Sequence, residues 1–479
     1  MTLSKSGHAG TALVGAALAA VLLGGCAERA EAPRPNVVLI VVDTLRADRL
    51  PFYGSPANTA PFLAELAERS LVFESAWSPS SWTLPATVSI LTSVHPLQHG
   101  VNSLAGLELG PDDEPVPVNA IPEEVETLAE TLRAAGYRTY GVVSNLLVGP
   151  EVGFNRGFDR YVQLQDEDAD SVNLMVESWR KEMLGNGPFF LYLHYFDPHD
   201  PFHARDPWFD LEGSLAEAGW PEEFSLEATD DLDWILTRLE PMPPGLDGKK
   251  TRDLSPEELL DLLVWMRAAY DSEIGFVDSR IRQVFESLGL EDALVVFTAD
   301  HGEEFYEHGD LTHGQNLYGE TVRVPLLLHL PAAAQSGRVP VPVSTLDIVP
   351  TIRRALQLPD SEQDVGQDLL SNAERNPVLG ILAAKSGQHS LEDDLHSIVV
   401  DNYRLITTAR GRVELYDLAT DPWERTDLAE ELPEVCDALL RRLRRLEAAA
   451  PRFQPASRLP TQPSEALLEH LRGIGYLGD

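Results

Sequence analysis

The sequence predicts an α/β protein whose core is a mostly parallel β-sheet covered on both faces by helices. The first observation is a set of short apolar runs, rich in β-branched residues, at 36–42, 139–144, 188–195 and 293–298. Continuous apolar runs of this kind are typical of parallel strands that are buried on both faces. The second observation is helical spacing of apolar residues at 59–73 and 121–135. Because strands and helices alternate, a parallel sheet is favoured.

The chain is long enough for a large α/β domain with a smaller domain after it. We predict a catalytic domain over residues 36–375 and a C-terminal subdomain over residues 376–479. Short antiparallel strands are predicted in the second part at 398–400, 403–406 and 413–416, followed by an amphipathic helix at about 434–449.

Residues 205–258 interrupt the alternation of strands and helices. They are acidic, contain Trp208, Trp220 and Trp234, and include a proline-rich stretch. We predict an insertion near the functional site. Two interpretations stay open, a lid over the site and a peripheral elaboration.

The N-terminus is predicted to be a lipoprotein signal peptide over residues 1–25. A basic start is followed by an apolar run that is short for a membrane span, and small residues directly precede Cys26. This pattern resembles a bacterial lipobox, which implies cleavage before Cys26, lipidation of that residue and a tether over 26–35. The expected location is the bacterial cell envelope, on its periplasmic or extracytoplasmic face, with the lipid as the membrane contact. A plain signal peptide or an uncleaved anchor is the alternative.

The charge of the chain excludes one class of partner. Acidic residues number 76 against 37 Lys and Arg, for a formal net charge of −39. Nucleic acid binding is not expected, because it depends on Lys and Arg contacts to phosphate. An anionic substrate would need a local positive centre, and a bound metal ion is the obvious candidate.

Two strand ends carry the residues expected to hold that metal. Asp43 follows the run at 36–42, and Asp300 and His301 follow the run at 293–298. In open α/β sheets the functional residues collect at the carboxyl ends of the strands. A carboxylate and an imidazole side by side can ligate one divalent ion, and Gly302 is expected to let the backbone turn tightly.

The segment 80–93 and several others resemble the sulfatases of the alkaline phosphatase and sulfatase superfamily. Sulfatases carry a Cys or Ser, any residue, a Pro, then a pair ending in Arg, and later Leu-Thr-Gly. Laying Leu91-Thr92-Ser93 on that ending places Thr83 on the nucleophile and Pro85 on the motif proline. Further segments match in order at 43–48, 155–159, 197–202, 298–304, 308–309, 313–314, 318–320, 322–325, 347–351, 415–418, 421–422 and 471–477. The resemblance implies an alkaline-phosphatase-like fold.

Three departures from the sulfatase pattern bear on the chemistry. Sulfatases convert the motif Cys or Ser to formylglycine, and Thr83 is not a known substrate for that conversion. Thr87 replaces the motif Arg, and Thr44 replaces an Asp that follows the first Asp in sulfatases. Superfamily relatives with a plain Thr include nucleotide pyrophosphatase-like phosphodiesterases and phosphoethanolamine transferases. In those enzymes the Thr oxygen attacks phosphorus and forms a phosphothreonine.

The resemblance implies roles for individual residues. Asp43, Asp300, His301 and the Thr83 oxygen would hold a divalent ion, with Ca, Mg, Mn and Zn not distinguished. His199 is expected near the substrate oxygens or the leaving group. His313 is expected to bind substrate or a second metal, and the residues Asp197, His199 and His313 would form that second site. One ion and two ions both stay open, and Ser81 is the rival nucleophile.

The leading functional prediction is a secreted, metal-dependent hydrolase of phosphate monoesters or diesters that acts through a covalent Thr83 intermediate. The alternative is hydrolysis of sulfuric esters. A transferase of phospho-groups and a non-catalytic binding lipoprotein are further alternatives. The substrate is expected to be an anionic ester, and neither its identity nor the oligomeric state is predicted.

Overall fold

The computed structural model describes residues 34–103, 118–185, 187–216, 239–240, 254–331, 335–384 and 391–458. Cys26, the predicted signal peptide, all of the tether but residues 34 and 35, and the motif at 471–477 lie outside the described residues, as does most of the insertion. The described residues from Pro35 onward belong to one compact unit. No helix in the described part of the chain is long and apolar enough to cross a membrane.

The strands of the described residues range from two-residue bridges to seven-residue core strands. In chain order they are β1 (Val37–Val42), β2 (Leu71–Phe73), β3 (Ala76–Trp77), β4 (Val118–Ala120), β5 (Arg138–Ser144), β6 (Arg160–Leu164), β7 (Phe189–Tyr195), β8 (Phe202–His203), β9 (Leu239–Glu240), β10 (Leu294–Ala299), β11 (Glu304–Phe305), β12 (Leu311–Thr312), β13 (Arg323–Val324), β14 (Leu326–His329), β15 (Gly337–Val339), β16 (Val343–Ser344), β17 (Val378–Leu382), β18 (Leu395–Val400), β19 (Tyr403–Thr408), β20 (Val413–Asp417) and β21 (Ala456–Arg458).

The α-helices of the described residues connect and cover these strands. In chain order they are α1 (Pro61–Glu68), α2 (Thr83–Thr92), α3 (Pro96–His99), α4 (Leu128–Ala134), α5 (Ala169–Met183), α6 (Leu211–Ala216), α7 (Pro256–Leu288), α8 (Gly319–Val322), α9 (Ile348–Ala355) and α10 (Pro433–Ala449).

The central sheet has the strand order β15-β2-β14-β10-β1-β7-β5-β6. Strands β10, β1, β7, β5 and β6 run parallel, whereas β14 is antiparallel to both of its neighbours. In register, Val42 lies opposite Ala299 on one side and Tyr195 on the other. The carboxyl ends of β1, β10 and β7 therefore meet at one edge of the sheet, which is where the predicted ligands follow the strands. The predicted mostly parallel α/β fold flanked by helices is confirmed.

The central strands are hydrophobic throughout because they are covered on both faces. Every residue of β1, β7 and β10 is buried. Helix α5 packs on β5 and β7 and contacts α7, which also contacts α1. Because the strands themselves form the hydrophobic core, polar functional side chains are expected at the strand ends.

The long helix α7 begins and ends at clear sequence signals. Ser255 caps its N-terminus by accepting a hydrogen bond from the Glu258 N–H, and the Glu258 carboxylate accepts one from the Ser255 N–H. Pro256 occupies the first turn, where its missing N–H costs nothing. Gly289 ends the helix with a φ of +62°, a conformation that glycine adopts without strain.

The C-terminal part contains an antiparallel sheet of order β17-β18-β19-β20. Helix α10 packs on β18 and β19. Their contact buries a small apolar cluster that includes Ile398, Leu405, Leu415, Leu439 and Leu443. The predicted antiparallel strands and helix are thus present, and β17 is an additional strand that the sequence pattern did not reveal. The domain boundary at 375/376 stays a prediction.

Two predicted helices are shorter in the structure. In the segment 59–73 only α1 is helical, and residues 71–73 form β2, which joins the sheet beside β14. In the segment 121–135 the helix is α4 alone. Thr127 caps it with a reciprocal bond to Glu130, so the preceding residues are excluded from the helix.

Candidate active site and metal centre

Three strand ends bring two carboxylates and an imidazole together in the interior. Within the described residues, Asp43, His194 and Asp300 form the only group of three or more metal-ligating side chains whose ligand atoms all lie within 4.8 Å of one another. His194 Nε2 lies 3.7 Å from Asp43 Oδ2 and 3.9 Å from Asp300 Oδ2. All three side chains are fully buried.

One side-chain atom of each of these three residues has no hydrogen-bond partner. These atoms are Asp43 Oδ1, His194 Nε2 and Asp300 Oδ2. Buried polar atoms are almost always paired, and two buried carboxylates without a cation are strongly disfavoured. The donor set of two carboxylates and an imidazole therefore fits a divalent metal ion.

Electrostatics support the same conclusion. Burial opposes ionisation of Asp43, but contact with His194 and the charges of His199 and His301 outweigh it and lower its pKa. Burial and the nearby Asp43 charge raise the pKa of Asp300 well above the ordinary carboxyl value. Without a cation, only one of the two carboxylates is thus readily ionised. A divalent ion would favour ionisation of both.

Neighbouring side chains orient these ligands. The Asn145 Nδ2 group donates a 2.6 Å hydrogen bond to Asp43 Oδ2, and the Leu147 N–H holds the Asn145 amide by donating to its oxygen. The Tyr192 hydroxyl lies 2.9 Å from His194 Nδ1. This contact accounts for Nδ1 and leaves Nε2 to face the carboxylates, as in many metal sites.

Thr83 is the first residue of α2 and its side chain points at the same centre. Its Oγ1 lies 3.2 Å from His301 Nε2, which in turn lies 3.3 Å from Asp43 Oδ1 and 3.6 Å from Asp300 Oδ2. The residue before the helix, Trp82, provides no side-chain cap. The N-terminus of α2 therefore presents its partial positive charge next to the Thr83 hydroxyl.

The protonation state of His301 follows from its contacts. Its Nδ1 lies 2.9 Å from the Gly302 carbonyl oxygen, which can only accept a hydrogen bond, so Nδ1 carries the proton. Burial outweighs the pull of Asp43 and lowers the pKa of His301 to about 4. The neutral ring therefore directs the lone pair of Nε2 at Thr83 and the two carboxylates.

Two further histidines stand beside His301. The His313 ring is 4.4 Å from that of His301 and 4.9 Å from that of His199. His313 Nδ1 lies 3.0 Å from the buried carboxylate of Glu303, which orients the imidazole. His199 Nδ1 donates to the Asp200 carbonyl oxygen at 2.7 Å. Burial opposes protonation of His199, but the charges of Asp200 and Asp43 outweigh it and raise its pKa.

Asp197 is engaged away from His199 and His313. Its Oδ2 accepts a hydrogen bond from the Ala169 N–H at the start of α5, and its Oδ1 pairs with Arg205 at 3.0 Å. The structure therefore does not gather the predicted second set, Asp197 with His199 and His313, into a group of ligand atoms within 4.8 Å. The two histidines are close to the first centre instead.

The turn after β1 is held in a strained conformation. Thr44 has a φ of +53°, which is unfavourable for a β-branched residue. The Tyr270 hydroxyl from α7 donates to the Thr44 carbonyl oxygen at 2.7 Å and accepts from the Arg46 N–H at 2.9 Å. These contacts fix the backbone directly after Asp43.

Arg46 joins this turn to the loop that follows β10. Its guanidinium makes two 2.9 Å bonds to Asp48 and donates to the Glu303 carbonyl oxygen at 2.9 Å. Gly302 is required in that loop for a close approach, because a Cβ there would lie 2.0 Å from the Glu320 carbonyl oxygen. Gly302 was expected for a tight turn, but the structure requires glycine there because the Glu320 backbone comes so close.

The remaining predicted residues are also placed. Ser81 is buried ahead of α2, and its hydroxyl has no hydrogen-bond partner, whereas Thr83 contacts His301. Ser93 ends α2 with a φ of +57° at the position of the motif glycine. His194 and Glu303 were not predicted as site residues. A histidine at the carboxyl end of a buried strand was the available signal for His194.

The chain is similar to known sulfatases along most of its length. A model of the sulfatase family matches residues 35–358. An uncharacterised sulfatase of Escherichia coli strain K12 is 23% identical over 456 residues, which cover 83% of this chain and 84% of the relative. A choline-sulfatase of Rhizobium meliloti strain 1021 is 25% identical over 452 residues, which cover 83% of this chain and 83% of the relative.

Solved structures share the fold. The phosphonate monoester hydrolase from Silicibacter pomeroyi superposes with a TM-score of 0.67 at 18% identity, covering 87% of this chain and 96% of that chain. This likeness extends over the sheet and the C-terminal antiparallel strands. Since the family match spans more than half of the 479 residues, the chain belongs to the sulfatase family.

Proposed function

We propose that this protein is a metal-dependent hydrolase of phosphate monoesters or diesters in which Thr83 forms a covalent intermediate. The observation that carries the proposal is the contact of Thr83 Oγ1 with His301 Nε2, beside the unpaired atoms of Asp43, His194 and Asp300. Family membership supports a hydrolase of the sulfatase superfamily, whose enzymes use a metal ion. The finer assignment rests on the threonine and on this geometry.

Asp43, His194, Asp300 and His301 would hold the ion, with the Thr83 oxygen beside them. A divalent ion bound there would lower the pKa of the Thr83 hydroxyl and offset negative charge on the ester oxygens. One ion is favoured over two, because Asp197 is committed to Ala169 and Arg205.

The other steps of the reaction are assigned to individual side chains of the site. Thr83 Oγ1 releases its proton to water and forms a bond to phosphorus while the bond to the leaving oxygen breaks, and the leaving oxygen takes a proton. His199 suits that proton donation, because its pKa is raised and its Nδ1 is already held by the Asp200 carbonyl. His313, oriented by Glu303, would contact the ester oxygens. Water then cleaves the phosphothreonine and restores the hydroxyl.

The proposal is tested with the full-length protein in detergent. Its turnover of nitrophenyl phosphate, bis-nitrophenyl phosphate and nitrophenyl sulfate is compared. Thr83→Ala is expected to lose phosphoester turnover by more than about 1,000-fold, and Thr83→Ser to retain part of it. Thr87→Val, one turn further along α2, is the matched control, because the Thr87 hydroxyl has no hydrogen-bond partner. Acid quenching followed by mass spectrometry should find phosphate on Thr83. Phosphoester turnover that survives in Thr83→Ala would contradict the covalent step.

Hydrolysis of sulfuric esters is the second candidate. It is favoured by the sulfatase family match and by relatives such as the choline-sulfatase of Rhizobium meliloti. Release of sulfate from nitrophenyl sulfate that is lost in Thr83→Ala, without phosphoester turnover, would support this candidate. It would then follow that an unmodified hydroxyl performs sulfatase chemistry.

The proposed location is the cell envelope, with the protein anchored by a lipid on Cys26. This proposal rests on the sequence of the first 26 residues alone. Metabolic labelling with palmitate, followed by fractionation, should place the labelled protein in the membrane fraction. Cys26→Ser should abolish the label, and label that persists in this variant would contradict the proposal.

A further inference from the structure

A cleft lined by carboxylates opens from the candidate active site at His199. It has a volume of about 880 Å³. Its walls include the buried residues Phe196, Asp197 and His199 together with Glu273 from α7. The His199 ring lies 4.9 Å from the His313 ring, which lies 4.4 Å from the His301 ring. The cleft therefore adjoins the residues around Thr83, where an ester would react.

Acidic residues predominate in the lining of this cleft. Five carboxylates and one guanidinium line it, from Asp166, Glu167, Asp168, Asp197, Glu273 and Arg205. The positive charge of Arg205 is already paired. Its guanidinium lies 3.0 Å from Asp197 and 3.5 Å from Asp168, and it stands 4.3 Å over the Phe276 ring.

Glu273 is the carboxylate left without a full set of partners. Its side chain is 1% exposed, and Oε2 has no hydrogen-bond partner. The nearest Arg205 nitrogen is 3.8 Å from Oε1. Burial and the nearby Asp197 charge raise the pKa of Glu273 well above its ordinary value. A buried carboxylate of this kind is stabilised when a cation binds beside it.

On the basis of the proposed function, we infer that the substrate is an ester whose alcohol part carries an amine or ammonium group, and that this cleft, through Glu273, binds that group. The whole molecule favours such a substrate, because its formal charge of −39 repels an ester with no compensating positive charge. An organic cation fits better than a metal ion. Within the described residues, the cleft does not bring three ligand atoms within 4.8 Å of one another.

A series of esters tests whether the enzyme prefers a substrate with an ammonium group. Aminoalkyl phosphates and sulfates, from aminoethyl to aminohexyl, are compared with isosteric esters that end in a methyl group instead of the ammonium. The full-length protein is expected to prefer the ammonium ester by about tenfold in kcat/KM at its best chain length. Glu273→Gln should abolish this preference while leaving kcat/KM for the methyl-terminated ester within about twofold.

Glu177→Gln is the matched control, because it makes the same substitution at a carboxylate of α5 that lies outside the cleft lining and has a side chain that is 61% exposed. It should keep the preference. The inference is overturned if kcat/KM is the same for the ammonium and the methyl-terminated ester at every chain length, or if the preference survives in Glu273→Gln. Either result leaves the hydrolase assignment intact.

Binding separates this inference from the proposed function. Hexylamine and hexanol are titrated into the same three proteins by calorimetry, which needs no turnover. Tighter binding of hexylamine by about tenfold, lost in Glu273→Gln only, would support the cation site even if no ester were hydrolysed. Equal binding of the two probes would refute it. Absence of all ester turnover with the cation preference intact would count against the hydrolase alone.

Discussion

Replacing Asp300 by asparagine should change the stability of the protein in opposite directions without and with a divalent cation. In the metal-free protein, burial and the Asp43 charge hold the pKa of Asp300 well above the ordinary carboxyl value of 3.8. Between the unfolded and the folded pKa, the folded protein binds one more proton than the unfolded chain. The free energy of unfolding therefore falls by about 1.4 kcal/mol for each pH unit in that window.

The asparagine side chain cannot titrate, so Asp300→Asn should remove this slope. The difference in unfolding free energy, variant minus wild type, should rise with pH from about pH 4 upward. Asp43 adds no slope there, because its pKa is lowered and it is ionised in both states above its ordinary value. Other buried acids with raised pKa values, such as Glu304 at about 8, act equally in both proteins and cancel.

With a cation the sign reverses, because an asparagine amide is a weaker ligand than a carboxylate. A cation present at 100 times its Kd stabilises the folded state by about 2.7 kcal/mol. If the substitution weakens binding by about 100-fold, the same concentration contributes only about 0.4 kcal/mol. About 2 kcal/mol of metal-dependent stabilisation should thus be lost.

Urea unfolding followed by tryptophan fluorescence measures both effects, since the chain has 8 Trp. Each protein is unfolded across pH 5–8 in EDTA and in excess Mg, Ca, Mn or Zn, so that the preferred ion is identified as well. Asp437→Asn, at a 71% exposed carboxylate on α10, is the control and should change neither measurement. The prediction is contradicted if Asp300→Asn has a lower free energy of unfolding than the wild type in EDTA throughout this pH range and is stabilised by metal as much as the wild type.

Three further predictions follow from other contacts. Glu303→Gln, which keeps the shape but not the charge beside His313, should lower kcat/KM by about 100-fold with metal content unchanged; kinetics and elemental analysis check this, and full activity would contradict it. Ser93→Ala should be about 1 kcal/mol less stable than Ser93→Gly, because Ser93 has a φ of +57° and both variants lose its bond from the Gly366 N–H. Urea midpoints compare them, and equal midpoints would count against a backbone cause. Arg46→Lys should lower the unfolding free energy by at least about 2 kcal/mol, since Lys cannot replace both Asp48 bonds and the Glu303 bond; a neutral effect would show that this network is not structural.

Several features of the fold could be predicted because they depend on local pattern. The apolar runs at 36–42 and 293–298 indicated buried strands, and their ends indicated where Asp43 and Asp300 would meet. The spacing from Thr83 to Leu91-Thr92, compared with the sulfatase motif, selected Thr83 as the nucleophile candidate, and the structure places it at the start of α2. The strand inferences needed only local sequence pattern, whereas the choice of Thr83 also needed the resemblance to the sulfatase motif.

Other features depended on which elements become neighbours. The run at 71–73 is apolar and helix-compatible by spacing, yet it forms β2 because β14 offers it a pairing partner. Asp197 resembled a second metal ligand in sequence, but the N-terminus of α5 and Arg205 bind its carboxylate first. Such competition is invisible along the chain.

His194 shows most clearly which features the sequence determines and which the tertiary structure decides. The sequence by itself determined a buried strand at 188–195, the carboxylates at two other strand ends and the nucleophile candidate Thr83. Only the tertiary structure decided that β7 lies directly beside β1, with Val41 opposite His194. That register turns a histidine in an apolar run into a neighbour of Asp43 and Asp300. The physical reason is that strand order and register arise from packing across the whole sheet, whereas burial and strand length are properties of each segment alone.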